Sequence, residues 1–397
     1  MGTELCGIAA VYQRVSAVLV SPPSMQPVGR LKVPDLSSVF PDRPVKAPPY
    51  VLGVLPGEGI GPEVVFAALR ILEALEAADV ARFDLRIAGP CIGVGSVTLE
   101  EEEFFEEIFA AGGAVLCGPR GGRFVYELRR RFDLFLKLSP LRVSPALAPL
   151  SQLKARVVSG VDVLVVRDNA GGVYQGEWGE ERGLNGERVA VHRFSSRESD
   201  VRRIIEASAA AAAARTGRMA IAWKDGGIPS ISRLWRDVTA EVAGSRGLDW
   251  EMINVDFAAY RLVQEPRSFD VLVCPNLEGD ILADVGAVLL GSRGLSFSGN
   301  YTPAGLGVYQ TNHGAAADLA GRDVANPLGQ IGSLAMLLRE SLGLAAVADA
   351  IESAVDAVLA GGARTADLTG EGGRVVGTRE MTDLVLEALS APDSLAF

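Results

Sequence analysis

The sequence predicts a layered α/β protein built around a largely parallel sheet. Short apolar runs of strand length alternate with amphipathic or alanine-rich stretches of helix length. Glycine and proline mark most of the junctions between them. With 397 residues and 48% hydrophobic content, the chain can fill a core for two domains or one large α/β unit.

Residues 1–49 stand apart. They are proline-rich over "SPPSMQPVGRLKVPDLSSVFPDRPVKAPP" and show no sustained periodicity, which predicts an extended arm or linker. From Tyr50 the pattern changes. "YVLGVLPG" predicts a buried strand ending in a glycine turn, and "GPEVVFAALRILEALEAA" an amphipathic helix with Pro62 in its first turn. "FDLRIAG", "GAVLCGP", "DVLVVRD", "RMAIAWK", "WEMINVD" and "FDVLVCP" predict further strands. Among them lie the helical stretches "EEEFFEEIFAAG", "ESDVRRIIEASAAAAAA", "SISRLWRDVTAEVAGS" and "PLGQIGSLAMLLRESLG". No internal repeat is present.

Charge and composition exclude several functions. A net charge of −11 opposes sequence-independent nucleic-acid binding, which needs a basic face. No apolar run is long enough to span a bilayer, and no basic segment precedes an apolar one as in a secretory signal. Cys6, Cys91, Cys117 and Cys274 lack metal-type or CxxC spacing, which predicts reduced thiols and a cytoplasmic location. His192 and His313 are the only histidines, too few for a His-rich metal centre.

Chemistry gathers where strands end, as it does in α/β proteins. Arg167 ends one strand, with Tyr174 beyond a glycine pair. Lys224 ends a second and Asp256 a third. "CPNLEGDILADVGA" adds Asp280 and Asp284, four residues apart. Taken singly, a strand-end Lys is a surface charge and a strand-end Asp caps the next helix. The Asp pair fits either a helix start that offsets the dipole or a hard-cation site. As a set they supply a base, an acid, three carboxylates and an arginine, which suits metal-assisted chemistry on a polycarboxylate.

The ordered series "LPGEGIGPEV", "LRRRFDLFLKLSPLR", "VVRDNAGGVYQGE", "WKDGGIPSISRLWRDV", "VDFAAYRLVQEPRSFDVLVCPNLEGDILADVGAVLLGSRG" and "NHGAAADLAGRDVANPLGQIGSLAMLLR" resembles the β-decarboxylating dehydrogenases over about residues 50–390. That family includes isopropylmalate, isocitrate, homoisocitrate and tartrate dehydrogenases. The resemblance implies an isopropylmalate dehydrogenase-like two-lobed fold, distinct from the Rossmann type. One lobe would be discontinuous, 50–134 with 291–397. The other would span 135–290 and carry a dimerising arm at "GEERGLNGERVAVHRFSS". It also implies a homodimer with shared sites, Lys224 and Asp256 coming from one chain and Tyr174, Asp280, Asp284 and the arginines from the other.

The implied reaction oxidises a small hydroxy-polycarboxylate, normally with loss of CO₂. Lys224 is the implied base and Tyr174 the implied acid. Asp256, Asp280 and Asp284 would hold Mg²⁺ or Mn²⁺. Arg129 and Arg167 would grip substrate carboxylates, for which a planar fork is suited. His313, Gly314, Asp318 and Asn326 would hold the adenosine half of the cofactor. Asp318 stands where an acidic residue favours NAD over NADP.

Several positions depart from the family pattern. "KLSP" replaces the usual "N-x-R-P", putting Ser139 in place of a substrate-binding arginine and Lys137 in place of an asparagine. Lys is no bidentate fork, though Lys137, or Arg142, would restore charge. Gly226 replaces an asparagine after the base. Arg123, Val125 and Tyr126 occupy the region that reads the substrate's C3 substituent, and Arg123 with Tyr126 implies a polar or anionic one. These edits point to an unusual substrate in a specialised biosynthetic pathway. Three other expectations stay open: oxidation without loss of CO₂ or decarboxylation alone, a catalytically silent or regulatory subunit, and a scaffold acting through the proline-rich arm. A further resemblance, of "CGIAAVYQ" to the start of glutamine amidotransferases with an N-terminal nucleophile, fails because Cys6 is not the first residue.

Overall fold

The computed structural model describes residues 39–40, 43, 46–89, 96–368 and 373–390. Cys6, Cys91 and most of the proline-rich segment lie outside the described residues.

A ten-stranded mixed sheet organises the molecule, in the order β2-β1-β3-β12-β11-β4-β5-β10-β8-β9. Its first half comprises β1 (Tyr50–Leu55), β2 (Phe83–Ile87), β3 (Ala114–Cys117), β11 (Phe297–Tyr301) and β12 (Gly307–Thr311). The second half comprises β4 (Leu136–Arg142), β5 (Asp162–Asp168), β8 (Arg218–Trp223), β9 (Asp249–Asn254) and β10 (Val271–Cys274). Strands β4 and β11 join the halves as an antiparallel pair, whereas β5, β10, β8 and β9 run parallel. All the strands expected from sequence are present.

Helices cover both faces. One core cluster packs α1 (Gly61–Ala77), α5 (Glu198–Ala213), α6 (Pro229–Arg246), α9 (Leu328–Glu340), α10 (Ala345–Ala360) and α11 (Thr378–Ser390) against the sheet. The opposite face holds α2 (Leu99–Ala110) and α3 (Phe124–Arg131) in one cluster. It holds α7 (Val255–Gln264) and α8 (Asn276–Leu290) in another. The short α4 (Ala155–Val158) precedes β5. Strand alternation builds these layers. Leu136, Leu138, Leu164 and Val166 point to the first face, and Leu141, Val163 and Val165 to the second.

Helix ends follow local chemistry. Thr98 and Glu101 form a capping box that starts α2. Proline opens α1 and α6, and left-handed Gly247 and Gly291 close α6 and α8.

Two features leave the body. The hairpin of β6 (Glu177–Arg182) and β7 (Arg188–Arg193) is exposed along nearly its whole length and carries exposed Trp178 and Val189, with Leu184 at its turn. The linker expectation needs correction at its C-terminal end. Phe40 is 6% exposed, with its ring 6.5 Å from Phe135 and 6.0 Å from Tyr301. No helix among the described residues is long and apolar enough to cross a membrane.

Candidate active site

The parallel strands β5, β10, β8 and β9 end along one edge of the sheet, and the candidate residues collect there. Arg167 is the penultimate residue of β5 and is 2% exposed. Its Nε and Nη2 donate to Oδ1 of Asn276 at 3.1 and 2.8 Å. Its Nη1 donates to Asp280. A methyl at Gly279 would come within 2.8 Å of the Arg167 side chain, so only glycine lets α8 lie this close to β5. Asn276, unread in the sequence, in turn donates to the carbonyl of Gly171 at 2.8 Å and so ties the guanidinium to the loop before Tyr174.

Asp280 and Asp284 are the fifth and ninth residues of α8, beyond the first turn, where the acidic residue is Glu278. The dipole-offset alternative therefore does not describe them. One helical turn apart, they share a face. Asp280 accepts from the Tyr174 hydroxyl at 2.9 Å. Burial alone would raise the Asp280 carboxyl, but Arg167, Tyr174, Lys137 and Arg129 hold it below the usual range. The Tyr174 phenol is pushed above its ordinary value by burial and by Asp280, so it keeps its proton at neutral pH. Asp284 accepts from Arg293 at 2.9 Å.

Lys137 sits directly across from Arg167 in the β4–β5 pair. Like charges placed so are unfavourable. Lys137 is 4% exposed and has no hydrogen bond or ion pair among the described residues. Burial, Arg129 and Arg167 lower its pKa well below the ordinary lysine value, while Asp280 and Asp284 oppose the shift. Arg129, 6% exposed on α3, is lowered to about 9 by burial and Arg167, and remains a cation at neutral pH. Two buried guanidiniums and the buried Lys137 amine thus lie around the Asp280 carboxylate. Ser139 is on the same face two residues along, 2% exposed, between Lys137 and Leu141, which packs on Gly286 of α8. Arg142 has the opposite parity and pairs with Asp356 at 3.3 Å, so it does not restore charge at the clamp.

The Tyr126 ring lies 5.0 Å from that of Tyr174 and is tilted by 52° to it, and the Arg129 guanidinium lies 5.8 Å from the Tyr126 ring. Arg123 is farther out. Its guanidinium lies 5.5 Å from the Trp178 ring and 3.7 Å from Glu127, with the side chain 43% exposed.

Lys224 and Asp256 form a separate pair at 2.7 Å, because β8 and β9 are neighbours. That bond to Lys224 holds the Asp256 carboxyl below its usual range. No hydrogen bond or ion pair joins this pair to the Arg167–Asp280 group among the described residues. Strands β5 and β8 are two positions apart, about 10 Å at ordinary strand spacing. Within one chain, no three His, Cys, Asp or Glu side chains among the described residues converge as a metal site.

The His313 loop rests on the glycine turn after β1. Ile60 donates to the Ala315 carbonyl at 2.9 Å, and a methyl at Gly59 would overlap that carbonyl. Nδ1 of His313 lies 3.0 Å from the Gly314 carbonyl. Burial and Arg293 lower the proton affinity of His313 against the pull of that carbonyl. Gly314 and Asp318 are exposed, with open space above Gly314. Asn326 uses its side chain to hold the loop. Its amide is committed to Asp367 at 3.0 Å and to the N–H of Leu328 at 3.0 Å, so its side chain supports the loop from below.

The site fits its implied groups. Asp280 and Asp284 offer hard oxygens one turn apart, suited to Mg²⁺ or Mn²⁺. The Gly59–Ala315 contact fixes the loop against the glycine turn, with open space at Gly314.

Fold and site define a two-faced α/β oxidoreductase whose strand-end carboxylates stand beside a cationic clamp. Residues 51–385 match the isocitrate/isopropylmalate dehydrogenase family model, and the chain belongs to that family. It is 39% identical over 354 residues to the 3-isopropylmalate dehydrogenase of Pseudomonas syringae pv. tomato, covering 85% of this chain and 98% of the relative. The 3-isopropylmalate dehydrogenase of Bordetella pertussis is 39% identical over 368 residues, with 86% and 99% covered. Among solved structures, isocitrate dehydrogenase from Methylococcus capsulatus superposes with a TM-score of 0.74 at 26% identity, covering 86% of this chain and all of that one.

Proposed function

We propose that the chain oxidises a malate-like 2-hydroxy acid with an additional polar or anionic C3 substituent, coupled to decarboxylation, with NAD and Mg²⁺ or Mn²⁺. The observation that carries this is the clamp: Lys137, Arg129 and Arg167, all at least nine-tenths buried, beside Asp280 and Tyr174. The two buried guanidiniums of Arg129 and Arg167, with the Lys137 amine between strand and helix ready to take up a proton, suit a multiply charged anion.

A divalent cation held by Asp256, Asp280 and Asp284 would supply Lewis acidity, and a nicotinamide held by the His313 loop would supply the hydride acceptor. Lys224 takes the hydroxyl proton. The bond from C3 to its carboxylate then breaks, CO₂ leaves, and the electron pair passes to the ketone oxygen as an enolate. Tyr174 gives its proton to C3. Arg129 and Arg167 fork onto carboxylates, and Lys137 adds a point charge where Ser139 offers none. Tyr126 and Arg123 face the C3 substituent, the latter from the rim.

The same proposal makes the enzyme a homodimer. The Lys224–Asp256 pair of one chain would complete the Asp280–Asp284 site of another, and the exposed hairpin would be the joining arm. The lobes are 50–134 with 291–397, and 135–290. Buried Cys117 and Cys274 suit a reducing cytoplasm. The open carboxylate of Asp318 favours the ribose hydroxyls of NAD.

The test is to incubate the purified protein with Mn²⁺, NAD⁺ or NADP⁺, and a panel of 3-substituted malates, following reduced cofactor and CO₂. Turnover with NAD⁺ on a substrate bearing a polar substituent is expected, and Lys224→Ala should abolish it while leaving the dimer intact. Absence of turnover on every malate, with no Mn²⁺-dependent cofactor binding, would overturn the proposal.

A further inference from the structure

Arg293 plays no part in the chemistry above, yet it stands where two parts of the site meet. It opens the turn Arg293–Leu295 between α8 and β11. Its Nη2 donates to Oδ2 of Asp284 at 2.9 Å, with its side chain 59% exposed. No other ion pair of Arg293 exists among the described residues. The turn is fixed to the footing of the His313 loop. Ser292 and Asn326 both hydrogen-bond the carboxylate of Asp367, and a methyl at Gly294 would come within 2.8 Å of Asn326 and Asp367. Arg293 is also close enough to His313 to weaken its hold on a proton.

We propose that Arg293 is a latch between the cation site and the cofactor loop, holding Asp284 until a divalent cation displaces it and then binding an anionic oxygen of the cofactor beside His313. This rests on Asp284 being a cation ligand, as proposed above. The physical reason is competition for one carboxylate oxygen. A divalent cation at Asp284 repels the guanidinium and removes its acceptor. The side chain is exposed, so it turns without disturbing a packed core. Its five N–H donors form a fork that matches phosphate oxygens. The anchored turn keeps its swing within reach of the loop. By linkage, cation and cofactor then strengthen each other's binding by the same factor.

The test measures Mn²⁺ binding by electron paramagnetic resonance without cofactor, and NAD⁺ binding by calorimetry with and without Mn²⁺. The proteins are wild type, Arg293→Leu, Arg293→Lys and Asp284→Asn. Losing an exposed ion-pair competitor should tighten Mn²⁺ binding of Arg293→Leu by about 1.5- to fivefold. In the wild type, Mn²⁺ should tighten NAD⁺ binding by about fivefold or more. That gain should shrink toward unity in Arg293→Leu and survive in part in Arg293→Lys. Unchanged Mn²⁺ affinity in Arg293→Leu, or an undiminished gain in NAD⁺ affinity, would overturn the latch. Wild-type protein that binds no Mn²⁺, or Asp284→Asn that binds it normally, would instead refute Asp284 as a ligand, and the latch with it.

Discussion

Replacing Lys137 by methionine should make the protein more stable and a worse enzyme. The ammonium is 4% exposed, lacks a hydrogen bond, and lies near Arg129 and Arg167 on one side and Asp280 and Asp284 on the other. At an effective dielectric near 20, a unit charge about 5 Å away is worth roughly 3 kcal/mol. The two arginine repulsions outweigh the two aspartate attractions, and burial adds to the cost. Methionine keeps the stem's volume and removes a buried amine that has no side-chain partner, so a gain of about 1–3 kcal/mol is expected. Bound substrate reverses the balance. Removing one charge of a buried pair costs about 2–5 kcal/mol, or roughly 30- to 5,000-fold in kcat/KM. The assays are thermal unfolding without ligand and steady-state kinetics on the best malate. A variant with a lower melting temperature and unchanged KM would refute the reasoning, because Lys137 would then be a packing residue.

Two further outcomes follow from the geometry. Burial raises the Asp168 carboxyl to about 6, above its unfolded value. The stabilising proton is therefore fully held below about pH 4 and lost as pH rises through 6, at a cost of roughly 3 kcal/mol by linkage. Asp168→Asn should remove that slope, so its urea midpoint should gain on the wild type between pH 4 and 7; a constant difference would contradict the buried-carboxyl account. Trp178→Glu, at an exposed position of the hairpin, should convert dimers to monomers by light scattering and abolish turnover with them. A dimeric variant would exclude the arm as the joining surface.

What the sequence made legible was what periodicity and position control. The strands follow from apolar runs bounded by glycine and proline, and Arg167, Lys224 and Asp256 are found at or just beyond strand ends as expected. The spacing of Asp280 and Asp284 put them on one helical face, but only the true start of α8 removes the helix-cap alternative. Arg142 was misjudged for want of parity counting: Lys137 and Ser139 share a face, and residue 142 must oppose them. Asn276 and Asn326 were beyond such reasoning. Their roles depend on which buried groups need partners, Arg167 in one case and the entry to α9 in the other. The clamp's charge imbalance is likewise a property of the fold, since Arg129, Lys137 and Arg167 come from three elements.

Phe40 carries a consequence for where this molecule begins. The family match starts at residue 51, yet Phe40 lies in the main core beside Phe135 and Tyr301 and against Gly305. Removing a buried phenylalanine typically costs 3–5 kcal/mol. The unit that ancestry defines and the unit that folds therefore have different edges. A chain trimmed to its inherited boundary would keep every catalytic residue and lose an aromatic plug from its interior. At Phe40 the segment before residue 50 works as structural cement for the core.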